Sequence, residues 1–250
     1  MRGRFVLAAA CGLLVSAAAP AAEITVLASG ATRDAYSELV APFEAATGHK
    51  VKTTWSGTVE TRRRIGDGEI FDLVITGAGD VDAFIAGGRF VPGSRVDLMK
   101  TGVGVAVKAG AARPDIGSVE AVRRALLAAK SVAYSTGPSG VYVQALFEKL
   151  GIAEQMKAVG RQTRPGVRVA SVVASGEAEI GFQQVSELIH ETGIDFLGPL
   201  PAEIQNVTVF SSGIHARAAN AAAAKALQAH LAAPAAAPAI RRHGMEPGGS

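Results

Sequence analysis

The chain has 250 residues, and its 25 lysines and arginines against 22 aspartates and glutamates give a formal net charge of +3. This length is enough to bury one large hydrophobic core or two medium ones. No basic segment is longer than residues 62–64, which argues against binding to nucleic acid. The single cysteine, Cys11, excludes an intrachain disulfide, so that the fold depends on an ordinary core.

Residues 1–22 have the pattern of a secretory signal peptide. Arg2 and Arg4 make the start positive, an apolar run covers residues 5–16, and small residues precede a cleavage site near Ala21. The apolar run is too short for a membrane-spanning helix. We therefore expect an exported, periplasmic protein whose mature part has a net charge of about +1 and lacks cysteine.

Within the first hundred residues, an arrangement of strand, small-residue loop and helix occurs three times. Strands are predicted over 24–28, 51–55 and 71–76. Serine, glycine, threonine and alanine fill the loops that follow, at 29–32, 56–58 and 77–79. Apolar residues at helical spacing come after the first loop, and Asp80 is a predicted cap for the third helix.

The second half of the chain repeats this arrangement. Residues 101–107 predict a strand that crosses between two lobes, and a helix follows over 119–129. The segment 131–151 then predicts a short strand, a loop over 135–140 and a helix closed by Gly151. Further strands are expected at 196–200 and 205–210, and a last helix over 218–232.

Alternating strands and helices predict an α/β fold with mostly parallel sheets. In such sheets, ligands bind beyond the carboxyl ends of the strands, where helix N-termini converge and favour anions. The serine and glycine loops after Leu27, Trp55, Ile75 and Tyr134 all lie at that end. The alternative for each single loop is an ordinary helix cap, with Ser139 bonding to the first turn of its own helix.

The catalytic patterns of several enzyme classes are missing. Residues 137–141 (GPSGV) lack the G-x-S-x-G spacing of a hydrolase nucleophile, and the phosphate-loop and dinucleotide patterns are absent. The five histidines are dispersed, without a second histidine and a carboxylate at metal-ligand spacing. We therefore expect neither a metal nor a cofactor.

Four polar side chains are further candidates for contact with an anion. Arg33 lies early in the first predicted helix, next to the first loop, and Arg95 precedes the predicted crossing strand, from where it would face the cleft. Gln183 and Gln184 follow a strand, where an amide can donate to a carboxylate or oxyanion. The alternative for both glutamines is an ordinary surface loop, and for residues 62–64 a solvated helix face.

The order of these motifs carries a resemblance that covers residues 23–247. The segments are ITVLASGATRDAYSELVAPFEAATGHKV, TTWSGT, FDLVITGAGDVDAFIAGGRFVPGSR, GVGVAV, YSTGPSGVYVQALFEKLG, GEAEIGFQQVSEL and GMEP. Together they resemble the periplasmic molybdate-binding proteins of ABC importers, which are type II solute-binding proteins. The resemblance implies two α/β lobes, each a mostly parallel sheet flanked by helices, with a ligand cleft between them. Lobe 1 would span 23–100 and 205–250, and lobe 2 would span 101–204.

In that family, serine hydroxyls and backbone amides of the first two loops hold an oxyanion, aided by a strand–helix loop of the second lobe. The resemblance therefore implies a small bound anion such as molybdate and an ABC permease of the inner membrane as partner. We also expect a monomer. Carried over by position, the ligand-binding residues are Ser29, Gly30, Ser56, Gly57, Thr58, Thr136, Ser139 and Gly140.

Two departures from the family pattern favour a carboxylate over a dehydrated oxyanion. Residues 180–184 lack the tyrosine that the molybdate binders have there, and Ser-Gly-Ala replaces Ala-Ser-Leu in the first loop. The additional arginines and glutamines near the predicted cleft suit a carboxylate, since arginine pairs with it through two parallel hydrogen bonds.

An enzyme on the same scaffold is the alternative function. Aconitate isomerase is similar to the molybdate-binding group, and it would shift an allylic proton in an unsaturated tricarboxylate. Such chemistry needs cationic clamps, for which Arg33 and Arg95 are candidates, and an acid/base group. Tyr134, Glu177 or a histidine would serve, but the sequence selects none of them, so that enzyme status and catalytic residues stay open.

Overall fold

The computed structural model describes residues 21–249. The predicted signal peptide lies outside the described residues, apart from Ala21 and Ala22. Within the described part, the chain forms two separate sheets with helices on both faces. No helix within residues 21–249 combines the length and the apolar character of a membrane span.

Eleven strands are present in residues 21–249. In chain order, β1 to β11 are Glu23–Ser29, Lys50–Ser56, Leu73–Gly77, Val96–Thr101, Val103–Lys108, Val132–Tyr134, Gly160–Gln162, Ile180–Gln184, Ile194–Pro199, Thr208–Ile214 and Glu246–Pro247. The six-stranded sheet has the order β11-β4-β10-β3-β1-β2, and the five-stranded sheet has the order β7-β6-β8-β5-β9.

Both sheets are mixed. Strand β1 is parallel to β2 and β3, and β6 is parallel to β7 and β8, as expected for strands joined through helices. Strand β10 is antiparallel to β3 and β4, and β5 is antiparallel to β8 and β9. Strands β5 and β10 are antiparallel to their neighbours because the chain enters them from the other sheet. Strand β11 is also antiparallel to β4, so the sheets are mixed rather than mostly parallel as predicted.

Nine α-helices cover the faces of the two sheets in the described residues. In chain order, α1 to α9 are Arg33–Thr47, Thr58–Gly66, Ala78–Ala86, Val119–Ala128, Pro138–Lys149, Ala153–Val159, Val169–Ser175, Ala221–Leu231 and Ala237–Arg242. Four single 3-10 turns, Gly30–Thr32, Val185–Glu187, Ala202–Ile204 and Pro234–Ala236, supplement them. The α/β class predicted from the sequence is confirmed.

Each sheet is buried on both faces because successive side chains of a strand point to opposite sides. In β1, Val26 and Ala28 pack with α1 and α8, whereas Leu27 packs on the other face with residues of α2 and α3. In β5, Val105 and Ala106 likewise belong to different clusters. The two lobes therefore have separate hydrophobic cores.

Two segments connect the sheets, and they pack against each other. Strand β4 ends at Thr101 and β5 begins at Val103, so that the predicted strand over 101–107 is broken at Gly102. A Cβ at Gly102 would lie only 2.9 Å from the Gln205 side-chain amide, which explains why a glycine occupies this position. From the second connection, Gln205 Oε1 accepts a 2.8 Å hydrogen bond from Val103 N. The predicted limits of the lobes, 23–100 with 205–250 and 101–204, remain a proposal.

Several elements were not predicted from the sequence: β4, β7, α6 and α9. Strand β7 has three residues, and helices α6 and α9 have seven and six, too few to establish a clear hydrophobic period. Strand β4 contains Asp97 and Lys100, whose charges interrupt an apolar pattern. Asp97 is accommodated by hydrogen bonds from Arg95 and Ser211.

Candidate functional site

A cavity of about 520 Å³, counting the open space at its entrance, lies between the two sheets. Only about 50 Å³ of it accommodates the centre of a water-sized sphere, so the cleft is nearly closed. Its first wall comes from the loops after β1 and β2, and its second wall from the loop after β6, the segment before α7 and the end of β8. The lining residues are Ser29, Gly30, Ala31, Arg33, Trp55, Ser56, Gly57, Ser135, Thr136, Gly137, Pro138, Gly166, Val167, Arg168, Gln183 and Glu187.

Three helix N-termini converge on this cavity. Helices α1, α2 and α5 begin there, and their N-cap residues Thr32, Gly57 and Gly137 make no capping hydrogen bond through a side chain. The first amides of a helix lack intrahelical partners, and the helix dipole gives this end a partial positive charge. The arrangement therefore favours a negatively charged ligand.

The Arg33 guanidinium lies over the face of Trp55, with Cζ 4.9 Å from the ring centroid. The rings of Tyr36 and Trp55 also meet edge-on, with their centroids 5.5 Å apart. In residues 21–249, Arg33 Nε is buried without a hydrogen-bond partner, and Arg33 has no ion pair. Arg33 as a whole is half-buried, and a buried donor without a partner is costly, so this guanidinium can donate to an anionic ligand.

Arg168 is the second arginine at the cavity, and it joins the two lobes. Its Nη2 lies 3.3 Å from Asp34 Oδ1 of the first lobe, and its Nη1 pairs with Glu191 of the second. Arg168 is therefore held by two carboxylates and still adds a positive charge beside the cavity.

Glu187 is the one carboxyl group among the cavity-lining residues. It ends the 3-10 turn Val185–Glu187 that follows β8, and its Oε1 accepts a 2.8 Å hydrogen bond from Gln183 Nε2. Burial raises the pKa of Glu187 to about 7, although Arg168 and Arg33 favour the ionised form. A carboxyl group with this pKa exchanges protons near neutral pH, as general acids and bases do.

The lobes touch directly around the cavity, which gives a closed cleft. A Cβ on Gly57 would lie 2.7 Å from Thr136 Oγ1 of the other lobe, so that only glycine fits. Ser186 Oγ donates a 2.9 Å hydrogen bond to Ala31 O, also across the lobes. Both contacts depend on closure.

Seven of the residues predicted from the sequence line this cavity: Ser29, Gly30, Arg33, Ser56, Gly57, Thr136 and Gln183. The hydroxyl of Ser56 already donates to Gly57 O at 3.2 Å and accepts from Thr61 Oγ1 at 3.0 Å. The Gln183 amide is likewise used within the protein, by Glu187 and by Val169 N. Whether these residues bind a ligand stays a prediction.

Arg95 is not part of the cavity. Its guanidinium pairs with Asp97 through two hydrogen bonds of 2.8 and 3.1 Å and with Asp82 at 2.6 Å. Arg95 precedes β4 at the far side of the first lobe, in a groove with residues of α8 and α9. The prediction that it faces the cleft overlooked β4, which separates Arg95 from the connection between the lobes.

Four other predicted residues do not reach the cavity wall. Ser139 is fully buried, with its Oγ 3.1 Å from Ser135 Oγ. A Cβ on Gly140 would lie 1.6 Å from Ser135 O, so this glycine lets α5 pack against the loop. Thr58 is buried at the start of α2 and borders a separate groove. Gln184 points to the connection between the lobes, where its amide bonds to Thr208 Oγ1 at 3.0 Å.

The acid/base groups considered from the sequence lie elsewhere. Tyr134 packs against Phe147, Glu177 accepts a hydrogen bond from Ser175 on the surface, and no histidine lines the cavity. Sequence reasoning missed Glu187, Arg168 and Trp55. Glu187 follows the end of a strand, the usual place for site residues in α/β sheets, and this was the available signal.

In the part of the chain that the structure describes, no group of three or more histidine, cysteine, aspartate or glutamate side chains is arranged to hold a metal ion. The donors at the cavity are helix amides, hydroxyls and two guanidinium groups, which suit an anion.

The comparisons with known proteins agree with this architecture. An aconitate isomerase from a Pseudomonas species is 36% identical over 237 residues, which covers 92% of this chain and 90% of the relative. The periplasmic molybdate-binding protein of Azotobacter vinelandii superposes with a TM-score of 0.75 at 19% identity, over 89% of this chain and 98% of that one. A sulfate-binding protein of Mycobacterium tuberculosis gives 0.72 at 16% identity, over 90% and 87%.

At these low identities, the two solved structures bear on the fold alone, and they confirm the predicted two-lobed periplasmic binding-protein fold. The family described as bacterial extracellular solute-binding protein matches residues 24–246, nearly all of the described part. With this match, and a cleft between two α/β lobes lined by anion-binding elements, the chain belongs to the bacterial extracellular solute-binding protein family.

Proposed function

We propose that the protein binds a small polycarboxylate in the cleft and shifts a proton within it, as an isomerase of the aconitate isomerase type. The observation that carries this proposal is the position of Glu187, the one carboxyl group among the described residues that line the cavity, together with Arg33 and Arg168. Burial there raises the pKa of Glu187 to about 7. The 36% identity to an aconitate isomerase over 92% of the chain supports it.

The charges at the cavity favour a carboxylate over molybdate. The planar guanidinium of Arg33 has no partner in residues 21–249 and matches the geometry of a carboxylate. An inorganic dianion offers Glu187 no proton to remove, whereas a carbon acid does. The three helix N-termini provide amides for further carboxylates.

The proposed step moves one proton between two carbons of an unsaturated tricarboxylate. Ionised Glu187 takes a proton from the saturated carbon between a carboxylate and the double bond, and the electron pair of the broken C–H bond enters the allylic system. Arg33 and the helix amides stabilise the additional negative charge. Protonated Glu187 then returns the proton to the former vinylic carbon, which leaves the double bond shifted and Glu187 ionised again.

Solute delivery without chemistry is the second candidate function, and the family match favours it. In this case the protein would deliver a small anion to an ABC permease, and Glu187 would act only in binding. The anion would be a carboxylate or an oxyanion such as molybdate. Both candidates place the exported protein in the periplasm after cleavage near Ala21, as a monomer.

A binding and turnover assay on the purified exported protein separates the two functions. Thermal unfolding is followed with molybdate, sulfate, citrate and the two aconitates, and cis- or trans-aconitate is then incubated with the protein and analysed by chromatography. The proposal expects stabilisation by tricarboxylates and interconversion of the aconitates. Stabilisation by a carboxylate without interconversion would favour delivery, and stabilisation by molybdate alone would refute the carboxylate site.

A further inference from the structure

Gln183 is a buried glutamine at the end of β8, and its side chain is only 2% exposed. Its Oε1 accepts a 2.9 Å hydrogen bond from Val169 N, and its Nε2 donates a 2.8 Å hydrogen bond to Glu187 Oε1. Both ends of the amide are thus occupied inside the protein.

The hydrogen-bonding roles of the two partners determine the orientation of this amide. A backbone N–H only donates, so the Gln183 oxygen must face Val169 and the Gln183 NH₂ must face Glu187. Glu187 Oε1 therefore accepts a hydrogen bond whether the carboxyl group is ionised or neutral. A proton added to Oε1 would meet the donor of Gln183, so that Oε2 is the oxygen that can gain and lose a proton.

We propose that Gln183 is a positioning residue, which holds Glu187 Oε1 as a permanent acceptor and leaves Oε2 to exchange a proton with the bound carboxylic acid. This inference rests on the proposed function, because it assigns a task to the acid/base group named there. Gln183 was expected from the sequence to contact the ligand, but its two hydrogen bonds assign it to Glu187.

The same amide connects Glu187 to the segment that carries Arg168. Val169 is the first residue of α7 and directly follows Arg168, so that Gln183 caps this helix and fixes the backbone beside the arginine. The charged groups that face Glu187 are Arg168, Arg33 and Asp34, and the hydrogen bond from Gln183 adds to the two arginines in favouring the ionised carboxylate.

The test follows the titration of Glu187 in the ligand-free protein by carbon-13 NMR of labelled glutamate carboxyl groups. The signal that titrates near pH 7 is assigned by its loss in Glu187→Gln. Gln183→Met removes both polar ends of the amide, and Gln183→Glu keeps an acceptor for Val169 N. Gln184→Met is the matched control, since Gln184 is equally buried on the same strand but bonds to Gly102 O and Thr208.

Gln183→Met should move the titration midpoint upward by about one pH unit, because the ionised carboxylate loses a donor. Gln183→Glu should also move it upward, because two adjacent carboxyl groups share one proton. The control should leave the midpoint within a few tenths of a unit. An unchanged midpoint in Gln183→Met, or an equal shift in Gln184→Met, would overturn the inference.

Interconversion of the aconitates is measured on the same samples. If the wild-type protein does not convert them, the proposed isomerase fails, while the titration still decides independently whether Gln183 controls Glu187. If it does convert them, Gln183→Met should move the acidic limb of the pH–rate profile, where protonation of Glu187 abolishes activity, to higher pH in step with the NMR midpoint. A purely structural defect would not do this.

Discussion

Arg168 Nη2 lies 3.3 Å from Asp34 Oδ1, and this ion pair spans the cleft from the start of α7 to the first turn of α1. Arg168 is held from its own lobe by Glu191. The pair therefore adds a link to the closed form that the open form lacks, beside the cavity where the proposed base Glu187 lies.

Substitution of Asp34 by asparagine should shift the ligand-free protein toward an open cleft. Partly exposed ion pairs are worth about 0.2–1 kcal/mol, so we expect a loss of affinity for tricarboxylates of about two- to fivefold. Small-angle scattering should show a larger radius of gyration without ligand and the wild-type radius at saturation. An identical ligand-free radius in wild type and Asp34→Asn would contradict a role for this pair in closure.

Loss of the Arg33 guanidinium should weaken carboxylate binding. A hydrogen bond to a charged group contributes about 1.5–3 kcal/mol, so Arg33→Ala should lower affinity for citrate or an aconitate by about 10- to 100-fold in calorimetry. Arg33→Lys keeps the positive charge but loses the two parallel N–H donors and the stacking on Trp55. It should therefore cause an intermediate loss of affinity.

Arg95→Ala is the matched control for this experiment, because Arg95 pairs with Asp82 and Asp97 away from the cavity. It should bind carboxylates like the wild type. An equal loss in Arg33→Ala and Arg95→Ala would show that net charge, rather than a contact in the cleft, determines affinity.

Glu187→Gln should change how stability depends on pH. The folded protein keeps Glu187 protonated up to a pH of about 7, whereas the unfolded chain ionises this group near 4.5. Between these values the folded state binds the additional proton, so the wild type loses stability relative to Glu187→Gln as the pH rises, by about 3 kcal/mol in total. Below 4.5 and above 7, the difference in unfolding free energy between the two proteins should be constant.

Urea denaturation of both proteins at several pH values measures this difference directly. A difference that is flat from pH 4 to 8 would mean that the pKa of Glu187 in the folded protein is close to its unfolded value, and would remove the physical basis for its role as a base at neutral pH.

Gly57→Ala should interfere with closure rather than with folding. The backbone of Gly57, at φ −87° and ψ 168°, accepts an alanine, but its Cβ would lie 2.7 Å from Thr136 Oγ1. We expect ligand affinity to fall by about tenfold or more, with an unfolding midpoint near that of the ligand-free wild type. Gly57→Ala combined with Thr136→Ala should recover part of the affinity, and full independence of the two substitutions would contradict a contact between them.

Much of the fold followed from the sequence because local patterns are strong where strands and helices alternate. The strand at Glu23–Ser29, its loop and the helix Arg33–Thr47 have clear periodicity, and the loops that line the first wall of the cavity were identified from this pattern. Short elements such as Gly160–Gln162 were not predicted, because three residues are too few to show a hydrophobic period.

The second wall of the cavity was harder to predict, since it depends on contacts between distant segments. Glu187 became a candidate base only when the closed lobes showed its burial. The hydrogen bonds of Gln183 to Val169 and Glu187 likewise depend on the folded structure and could not be predicted from the sequence. Arg95 was misplaced because a charge that is adjacent to a strand in sequence can lie at either end of a sheet.

Proton transfer by Glu187 is tested most directly by incubating trans-aconitate with the protein in D₂O and following the proton spectrum by NMR. The wild type should form cis-aconitate with deuterium at the former vinylic carbon, to the extent that the proton on Glu187 exchanges with solvent before it is returned. Glu187→Gln should still bind tricarboxylates and should show neither conversion nor deuterium. Conversion at the wild-type rate in Glu187→Gln would contradict the account.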